Sequence, residues 1–296
     1  MNNYYIGVDV GATKIAAGLI LNGKIIKRAL VPTQAKKGKT QTVKNIAKAI
    51  KAVYTPKVKG IGIGIAGQIN SQKGLVVSSP NFPKNFKNVP LAKFIQATFK
   101  KPVLIDNDAN CFTLGEAVYG AGKRYKNLVG LTLGTGVGGG IVINKKIYAG
   151  KDGLTAEIGH TTIVKDGLKC SCGQTGHLET YTCGPAITNF YKKLSGQKKN
   201  PFAVKALAKK GEKNALKVFK IMAEYLAIGL ANIINTFNPE IIILGGGLSR
   251  VDILTKPAIE LAKKKVVYPA LKTTKIVTSK LKEDAAMLGA SALFKQ

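Results

Sequence analysis

Several features that would assign this chain to a particular class of protein are scarce or missing. Four cysteines, two of them in a Cys-x-Cys, are too few for a disulfide framework, which favours a reducing cytoplasm. Residues 1–10, MNNYYIGVDV, contain neither a basic n-region nor an apolar h-region, so we expect no signal peptide. The longest mostly apolar stretch, Val218–Phe237, is interrupted by Lys220 and Glu224 and predicts a buried helix with no membrane span.

Acidic residues are also scarce, with 15 Asp and Glu against 46 Lys and Arg and a net charge of +31. This excess indicates either a solvated lysine surface or a protein that binds nucleic acid or another polyanion. Only Arg28, Arg124 and Arg250 are arginines, the residue that readers of bases and phosphates favour for its planar fork. Because the lysines are spread along the whole chain, we favour the solvated surface, with a salt-dependent preference for anions.

The chain is long and apolar enough for two domains, with 296 residues of which 45% are hydrophobic. Apolar periodicity predicts the order β-β-β-α-β-α-β up to about residue 108, and a second pair of strands around a glycine turn follows. Each half therefore begins with strand, glycine turn and strand. This repetition predicts a duplicated α/β fold with a cleft between its halves and a boundary near 119–123.

The first glycine turn is Asp9-Val10-Gly11-Ala12-Thr13-Lys14. Backbone N–H groups at such a turn can approach a phosphate closely, and Thr13 and Lys14 add a hydroxyl and a positive charge. Asp9, at the end of a strand, can lie near a magnesium ion or its waters. The alternative is an ordinary β-hairpin with Asp9 as a turn residue.

Two further glycine segments follow predicted strands. Leu133–Gly140 is not a Walker loop, because no Gly-Lys-Ser/Thr follows, and it is no Rossmann fingerprint, because a strand follows in place of a helix. A bare hairpin is possible, but the repetition of the device at Gly11 favours phosphate binding. Gly245–Gly247 suits a close approach of the backbone to a flat ring such as adenine, with a plain turn as the alternative.

An apolar strand ends in Asp106-Asn107-Asp108, and the mouth of an α/β sheet is where ligands usually bind. Asp108 can take a proton from a hydroxyl, and Asn107 can hydrogen-bond a polyol. Capping of the following helix is an equally good role for Asp108 on spacing alone.

The two histidines of the chain, His160 and His177, lie within eleven residues of the pair Cys170 and Cys172. Four such donors can close a tetrahedral zinc site, and if all four bind, no position remains for water and the metal is structural. The alternative is a solvated loop with incidental histidines. Cys111 and Cys183 are typical of small core residues.

In order and spacing, eight segments of the chain resemble the ROK family of sugar kinases and related repressors, with its actin-like, ribonuclease-H-like fold. The segments run from Tyr5 to about Leu293 and are DVGATK, GIGIAGQIN, SPNFP, NDAN, GTGVGGG, EIGH, CxCGxxGHLE and NPEIIILGGGLS. The resemblance implies a hexokinase-type α/β fold with two domains flanking a cleft and a zinc-binding loop. We assign 1–119 and 283–296 to an N-terminal domain, and 120–282 to a larger C-terminal domain.

Members of this family transfer the γ-phosphate of ATP to a sugar hydroxyl, usually O6 of an aldohexose or N-acetylhexosamine. The resemblance implies that Asp108 is the general base. It implies that the sugar contacts Gly67, Asn107, Asp108, Glu157, His160 and Glu179. It places the ATP phosphates and Mg²⁺ at Asp9, Gly11, Ala12, Thr13, Lys14, Gly134, Thr135, Gly136, Gly138 and Gly139, and the adenosine at Gly245, Gly246 and Gly247. It implies a structural Zn²⁺ on His160, Cys170, Cys172 and His177, where His177 stands in for the usual fourth cysteine.

We therefore expect a cytoplasmic, glucokinase-like enzyme that makes glucose 6-phosphate, forms a homodimer or higher homo-oligomer, and has no DNA-binding domain and no membrane partner. Kinases for N-acetylmannosamine, N-acetylglucosamine, mannose or fructose share these motifs, and a polyphosphate-using glucokinase is a further alternative. We expect the loop at Asn81–Asn88 to tune the choice of sugar. A sugar-responsive repressor is disfavoured, because no helix-turn-helix segment precedes Asp9, and a polyanion-binding protein is suggested by charge alone.

Overall fold

The strands of the protein form where the sequence is apolar and β-branched. A computed structural model describes residues 3–79, 82–83 and 85–296 of the chain. Its strands, in chain order, are β1 (Tyr4–Val10), β2 (Lys14–Leu21), β3 (Lys24–Pro32), β4 (Val58–Ile65), β5 (Gln68–Asn70), β6 (Leu75–Ser78), β7 (Val103–Asn107), β8 (Leu128–Leu133), β9 (Val137–Ile143), β10 (Lys146–Ile147), β11 (Ile241–Gly245) and β12 (Lys275–Thr278).

Most helices form where apolar residues recur at helical spacing, whereas α3 and α9 are buried on nearly all sides. They are α1 (Lys39–Val53), α2 (Leu91–Phe99), α3 (Asp108–Tyr119), α4 (Leu178–Thr182), α5 (Gly184–Ser195), α6 (Pro201–Lys209), α7 (Lys213–Phe237), α8 (Asp252–Lys265) and α9 (Ala285–Ala292).

Two five-stranded sheets organise these elements. The first has the order β3-β2-β1-β4-β7, with β2 antiparallel to β1 and to β3, and β4 parallel to β1 and to β7. The second has the order β10-β9-β8-β11-β12. The second order repeats the first, strand for strand, which agrees with the predicted duplication of an α/β fold. Sequence periodicity did not predict the small sheet of β5 and β6 or the two-residue strand β10.

The chain forms two compact units. Unit 1 contains Met1–Gly130, Gly140–Ala156 and Ser279–Gln296, and unit 2 contains Leu131–Gly139 and Glu157–Thr278. The division passes through β8 and β9. The domain limits expected from the sequence, 119/120 and 282/283, stay a prediction.

Helix α7 is long and apolar enough to cross a membrane, judged by length and composition, but 61% of its most apolar stretch is buried inside the protein. Its buried residues recur at helical spacing and include Val218, Phe219, Met222 and Leu226. This packing is typical of a core helix, as the sequence predicts for this segment.

Candidate active site

The first glycine turn joins β1 to β2 in unit 1. The N–H of Gly11 donates to the carbonyl of Lys14 at 3.0 Å. The fully buried Thr33, which directly follows β3, stabilises the turn, because its hydroxyl donates to the Gly11 carbonyl at 2.7 Å and its N–H donates to the Thr13 carbonyl at 3.0 Å. Thr33 carries no motif that sequence reasoning could have used.

Asp9 lies one residue before the end of β1, in register with Gly64 of the parallel strand β4. Burial raises the pKa of the Asp9 carboxyl from 3.8 to about 7; the charge of Asp108 adds to the rise and the charge of Lys14 opposes it. The electrostatic coupling places Asp9, Lys14 and Asp108 in one neighbourhood of unit 1.

Asn107 and Asp108 stand at the carboxyl end of β7, where α3 begins. The Asn107 side-chain oxygen accepts hydrogen bonds from the N–H groups of Ala109 at 2.8 Å and Asn110 at 3.3 Å, so Asn107 is the N-cap of α3. The capping role that the sequence offered to Asp108 therefore belongs to its neighbour. Asp108 is the first residue of the helix and is half-buried.

Asn107 also connects β7 to Gly67, because its side-chain N–H donates to the Gly67 carbonyl at 3.0 Å. Gly67 has a φ of +121°, and an added Cβ would overlap the Ser78 carbonyl, so only glycine fits this position without strain. Two of the predicted sugar contacts, Gly67 and Asn107, are thus joined directly and lie beside Asp108.

Asp106, for which the sequence predicted no role, stabilises this arrangement from within β7. Its carboxylate is buried and accepts hydrogen bonds from the Asn107 N–H at 2.7 Å and the Asn110 side chain at 2.9 Å. Burial raises the pKa of Asp106, and these two hydrogen bonds oppose the rise. The position of Asp106 in the Asp-Asn-Asp motif was the available signal.

The second glycine turn joins β8 to β9 in unit 2. The Gly134 N–H donates to the Gly136 carbonyl at 2.9 Å, and the Gly184 N–H at the start of α5 donates to the Gly134 carbonyl at 2.8 Å. The Val137 N–H donates to Glu179 Oε2 at 2.8 Å. One carboxylate oxygen of Glu179, a residue predicted to contact the sugar, therefore binds the residue that directly follows the predicted phosphate-binding turn.

Glu157 and His160 approach the same turn from a short 3-10 helix at Ile158–His160. An added Cβ on Gly159 would overlap the Val137 carbonyl, so the helix packs directly on the first residue of β9. Glu157 Oε2 lies 4.0 Å from His160 Nε2, and the Glu157 side chain is 54% exposed. Unit 2 thus gathers Glu157, His160 and Glu179 around Val137.

The donor atoms of His160, Cys170, Cys172 and His177 all lie within 4.8 Å of one another. Cys170 Sγ is 3.6 Å from His160 Nδ1, and Cys172 Sγ is 3.3 Å from His177 Nδ1. A tetrahedral zinc ion with ordinary bond lengths separates its ligands by about 3.3–3.8 Å. These two Cys–His pairs match that spacing, and two cysteines with two histidines are a donor set that zinc accepts.

Turns of the loop hold these donors in place. The Cys170 N–H donates to the Gln174 carbonyl at 2.7 Å, and the Gly173 N–H donates to the Cys170 carbonyl at 3.0 Å. Burial tends to raise the pKa of the Cys170 thiol, but hydrogen bonds from Cys172, His177 and His160 lower it to about 6. Cys170 is therefore a ready thiolate ligand near neutral pH.

The third glycine segment ends β11 in unit 2. Gly246 has a φ of +78°, and an added Cβ would overlap the carbonyl of Leu133, the last residue of β8. The Ser249 hydroxyl donates to the Gly246 carbonyl at 2.7 Å, whereas Gly247 has open space where a side chain would stand. The segment from Gly245 to Gly247 therefore lies beside the strand that leads into Gly134.

Comparison with known proteins identifies relatives of this chain. The profile of the ROK family matches residues 5–296. The chain belongs to the ROK family. A glucokinase of Thermotoga maritima is 37% identical over 308 residues, covering 98% of this chain and 97% of that protein. The N-acetyl-D-glucosamine kinase of Vibrio cholerae is 32% identical, with coverages of 98% and 99%.

The fold also matches solved structures of the ROK family. The ROK family glucokinase from Streptomyces griseus, solved in complex with glucose and AMPPNP, has a TM-score of 0.85 and 29% identity, and covers 98% of this chain and 99% of that one. These matches confirm the family resemblance and the hexokinase-type α/β fold that it implied.

The loop at Asn81–Asn88 is described only in part, because Asn81 and Lys84 lie outside the described residues. Within it, the rings of Phe82 and Phe86 stack with centroids 4.7 Å apart, and both side chains are buried. The expectation that this ROK loop tunes the choice of sugar stays a prediction.

Proposed function

We propose that this ROK protein is an ATP-dependent hexose kinase that converts glucose to glucose 6-phosphate, with Asp108 as general base. The observation that carries the proposal is the division of tasks at the start of α3. Asn107 caps the helix and donates to the Gly67 carbonyl. The half-buried Asp108 carboxylate beside it, whose Oδ1 accepts from the Ala109 N–H at 2.9 Å, would accept the proton of a sugar hydroxyl. Glucokinases among the full-length relatives support the same substrate.

Phosphoryl transfer depends mainly on positioning and on stabilisation of charge. In our proposal the braced turn at Gly11–Lys14 and the turn at Gly134–Gly139 bind the ATP phosphates, and Gly245–Gly247 lies against the adenosine. Asp9 lies near Mg²⁺, which supplies positive charge to the phosphates when bound. The open space at Gly247 and the hydrogen bonds that fix Gly11 and Gly134 support these roles.

We assign the cluster of His160, Cys170, Cys172 and His177 to a structural zinc ion. Four protein donors complete a tetrahedron, so this site has no open position for chemistry. His160 would bind the metal through Nδ1, the nitrogen that faces Cys170, and keep Nε2 for the sugar. Glu157 and Glu179 then receive sugar hydroxyls beside it, Glu179 through the oxygen that does not hold Val137.

We also propose a location, an assembly state and domain limits for the enzyme. The enzyme acts in the cytoplasm, as a homodimer or higher homo-oligomer, on a small sugar and ATP. Its N-terminal domain consists of residues 1–119 and 283–296, and its C-terminal domain consists of residues 120–282.

A coupled assay over a panel of sugars tests the function. We expect the highest kcat/KM with glucose and ATP, and glucose 6-phosphate as product by mass spectrometry and NMR. The panel includes mannose, fructose, N-acetylmannosamine and N-acetylglucosamine, the last because a relative of 32% identity is named for it. Parallel reactions with polyphosphate test the donor. A preference for an N-acetylhexosamine would replace glucose in the proposal, and no turnover of any sugar would refute it.

A further inference from the structure

Glu116, in the last turns of α3, is a buried carboxylate that the proposed chemistry does not use. Its side chain is fully buried. Oε1 accepts hydrogen bonds from the Ser279 hydroxyl at 2.6 Å and the Leu281 N–H at 2.8 Å, and Oε2 accepts one from the Ala121 N–H at 2.7 Å. One side chain thus joins α3 to residues more than 160 positions away, in the segment that leads into α9.

The choice of a carboxylate here has an energetic cost. Burial of a charge is unfavourable unless donors surround it, and among the described residues Glu116 has three donors and no ion pair. The negative charge also lies toward the C-terminal end of α3, which the helix dipole disfavours. An apolar residue here would leave the Ser279, Leu281 and Ala121 donors without their acceptor, so the property to explain is the geometry that Glu116 imposes through them.

Lys145 holds the same end of α3. Its ammonium group donates to the carbonyls of Ala117 at 3.0 Å, Gly122 at 3.0 Å and Lys123 at 2.8 Å. The Glu116 carbonyl in turn accepts from the N–H groups of Gly120 and Gly122. The end of α3 is therefore fixed by contacts on both its side chains and its backbone.

Asp108 stands at the other end of this helix, eight residues from Glu116. At 1.5 Å per residue the separation along the axis is about 12 Å, and the i to i−4 hydrogen bonds of one continuous helix connect the two ends. Between the two ends, α3 packs tightly on α9, where an added Cβ on Gly289 would overlap the Cys111 carbonyl. Displacement of α3 against the segment before α9 would therefore displace Asp108.

We infer that Glu116 is a positioning residue for the transfer reaction, which fixes α3 against residues 279–281 and so sets the place of the Asp108 carboxylate. The inference rests on the proposed function, in which Asp108 is the base. A misplacement of about 1 Å at a reacting group can lower a rate about 100-fold. Glu116 would thus affect kcat without touching sugar or ATP.

The test compares variants that change the Glu116 acceptor with variants that remove or keep the Ser279 hydroxyl donor. Glu116→Gln keeps the size of the side chain but replaces the oxygen that accepts from the Ala121 N–H with an NH2 group, so that two donors face each other. We expect kcat to fall about 10- to 100-fold with both KM values within about twofold, and amide hydrogen exchange over 103–119 to accelerate. Ser279→Ala should show a smaller loss, and Ser279→Thr, which keeps the hydroxyl, should restore kcat.

A control variant separates positioning from stability. Ile46→Val removes a buried methylene from α1 in the same unit, and should lower the melting temperature while leaving kcat unchanged. Unchanged kcat in Glu116→Gln, or a loss that Ile46→Val reproduces at equal stability, would overturn the inference. If Glu116→Gln does not fold, Ser279→Ala and Ser279→Thr decide, and equal kcat in these two overturns it. If the unmodified protein phosphorylates no sugar, the proposed function fails and the catalytic part of the inference fails with it. Exchange over 103–119 in Glu116→Gln then tests only whether Glu116 fixes α3, and unchanged exchange would overturn that part too.

Discussion

Asn107 and Asp108 are adjacent in the sequence but do different work at the start of α3. Both polar groups of the Asn107 side chain form structural hydrogen bonds. The oxygen accepts from backbone N–H groups of the helix, and the NH2 group donates to the Gly67 carbonyl. Asp108 has a helical backbone and a half-buried carboxylate. This separation lets the helix cap stay in place when the carboxylate is changed, so the role of Asp108 can be tested alone.

Asp108→Asn should reduce kcat by about 10²–10⁴-fold, because the amide cannot accept the hydroxyl proton. Sugar affinity, measured by calorimetry, should change little, since an amide still hydrogen-bonds a hydroxyl. Asp152→Asn, which removes the same charge from an exposed loop of unit 1, is the matched control and should keep full activity. A kcat within tenfold of the unmodified enzyme would remove Asp108 as the base.

Asp9 gives a prediction about stability and pH. Its folded-state pKa of about 7 is above the reference of 3.8, so the folded protein retains a proton that the unfolded chain releases as the pH rises through that interval. The Asp9 contribution therefore becomes progressively unfavourable to folding between about pH 4 and pH 7. Asn at this position stays neutral at every pH.

The melting temperature of Asp9→Asn minus that of the unmodified protein should thus increase from pH 4 to pH 7 and then level off. Melting curves by calorimetry, without magnesium, measure the difference. Asp152→Asn should show no such trend. A difference for Asp9→Asn that is constant with pH would mean that the Asp9 pKa is not raised.

At the scale of elements, the proposed zinc ion would link the two ends of the loop from His160 to His177. Removal of zinc by a strong chelator, with magnesium restored, should lower the melting temperature and weaken sugar binding by about tenfold or more, because His160 loses its fixed orientation. Zinc content by elemental analysis should be about one ion per chain before chelation. Full activity in a metal-free preparation would contradict a structural role for zinc.

Variants of His177 test the fourth ligand directly. His177→Cys gives three cysteines and one histidine, a common zinc set, and should keep zinc. His177→Ala should lose zinc and reproduce the effects of chelation, since the buried ring and its 3.3 Å contact with Cys172 Sγ are removed. Full zinc content in His177→Ala would exclude His177 as a ligand.

Elements with strong local signals could be predicted from the sequence, and those fixed by distant contacts could not. The strands around Gly11 and Gly134 and the helices α1, α3 and α7 follow from periodicity and glycine turns. The three-residue strand β5 forms only because β6 pairs with it. The sequence could not decide whether Asn107 or Asp108 caps α3, because that depends on which side chain reaches the N–H groups of the helix. Thr33 and Glu116 form hydrogen bonds with distant residues that no local sequence pattern indicates.

At the scale of the molecule, the first 119 residues distribute charge unevenly between surface and interior. Residues 1–119 contain 18 basic and only four acidic residues, and the acidic ones are Asp9, Asp106, Asp108 and Glu116. Asp106 and Glu116 are buried, and Asp9 and Asp108 are half-buried near the proposed phosphate turns. The exposed ionic side chains of this part of the described chain are therefore lysine and arginine, which attract anions such as ATP.

This excess charge predicts that salt will affect the two substrates differently. Between about 0.05 and 0.5 M KCl, screening should raise KM for Mg-ATP several-fold, whereas KM for a neutral sugar should change little. Tetramethylammonium chloride in place of KCl separates screening from a specific effect of potassium. Equal sensitivity of both KM values would point to a general effect of salt on the fold. A constant KM for ATP would show that the lysine surface is solvated and has no part in attracting the nucleotide.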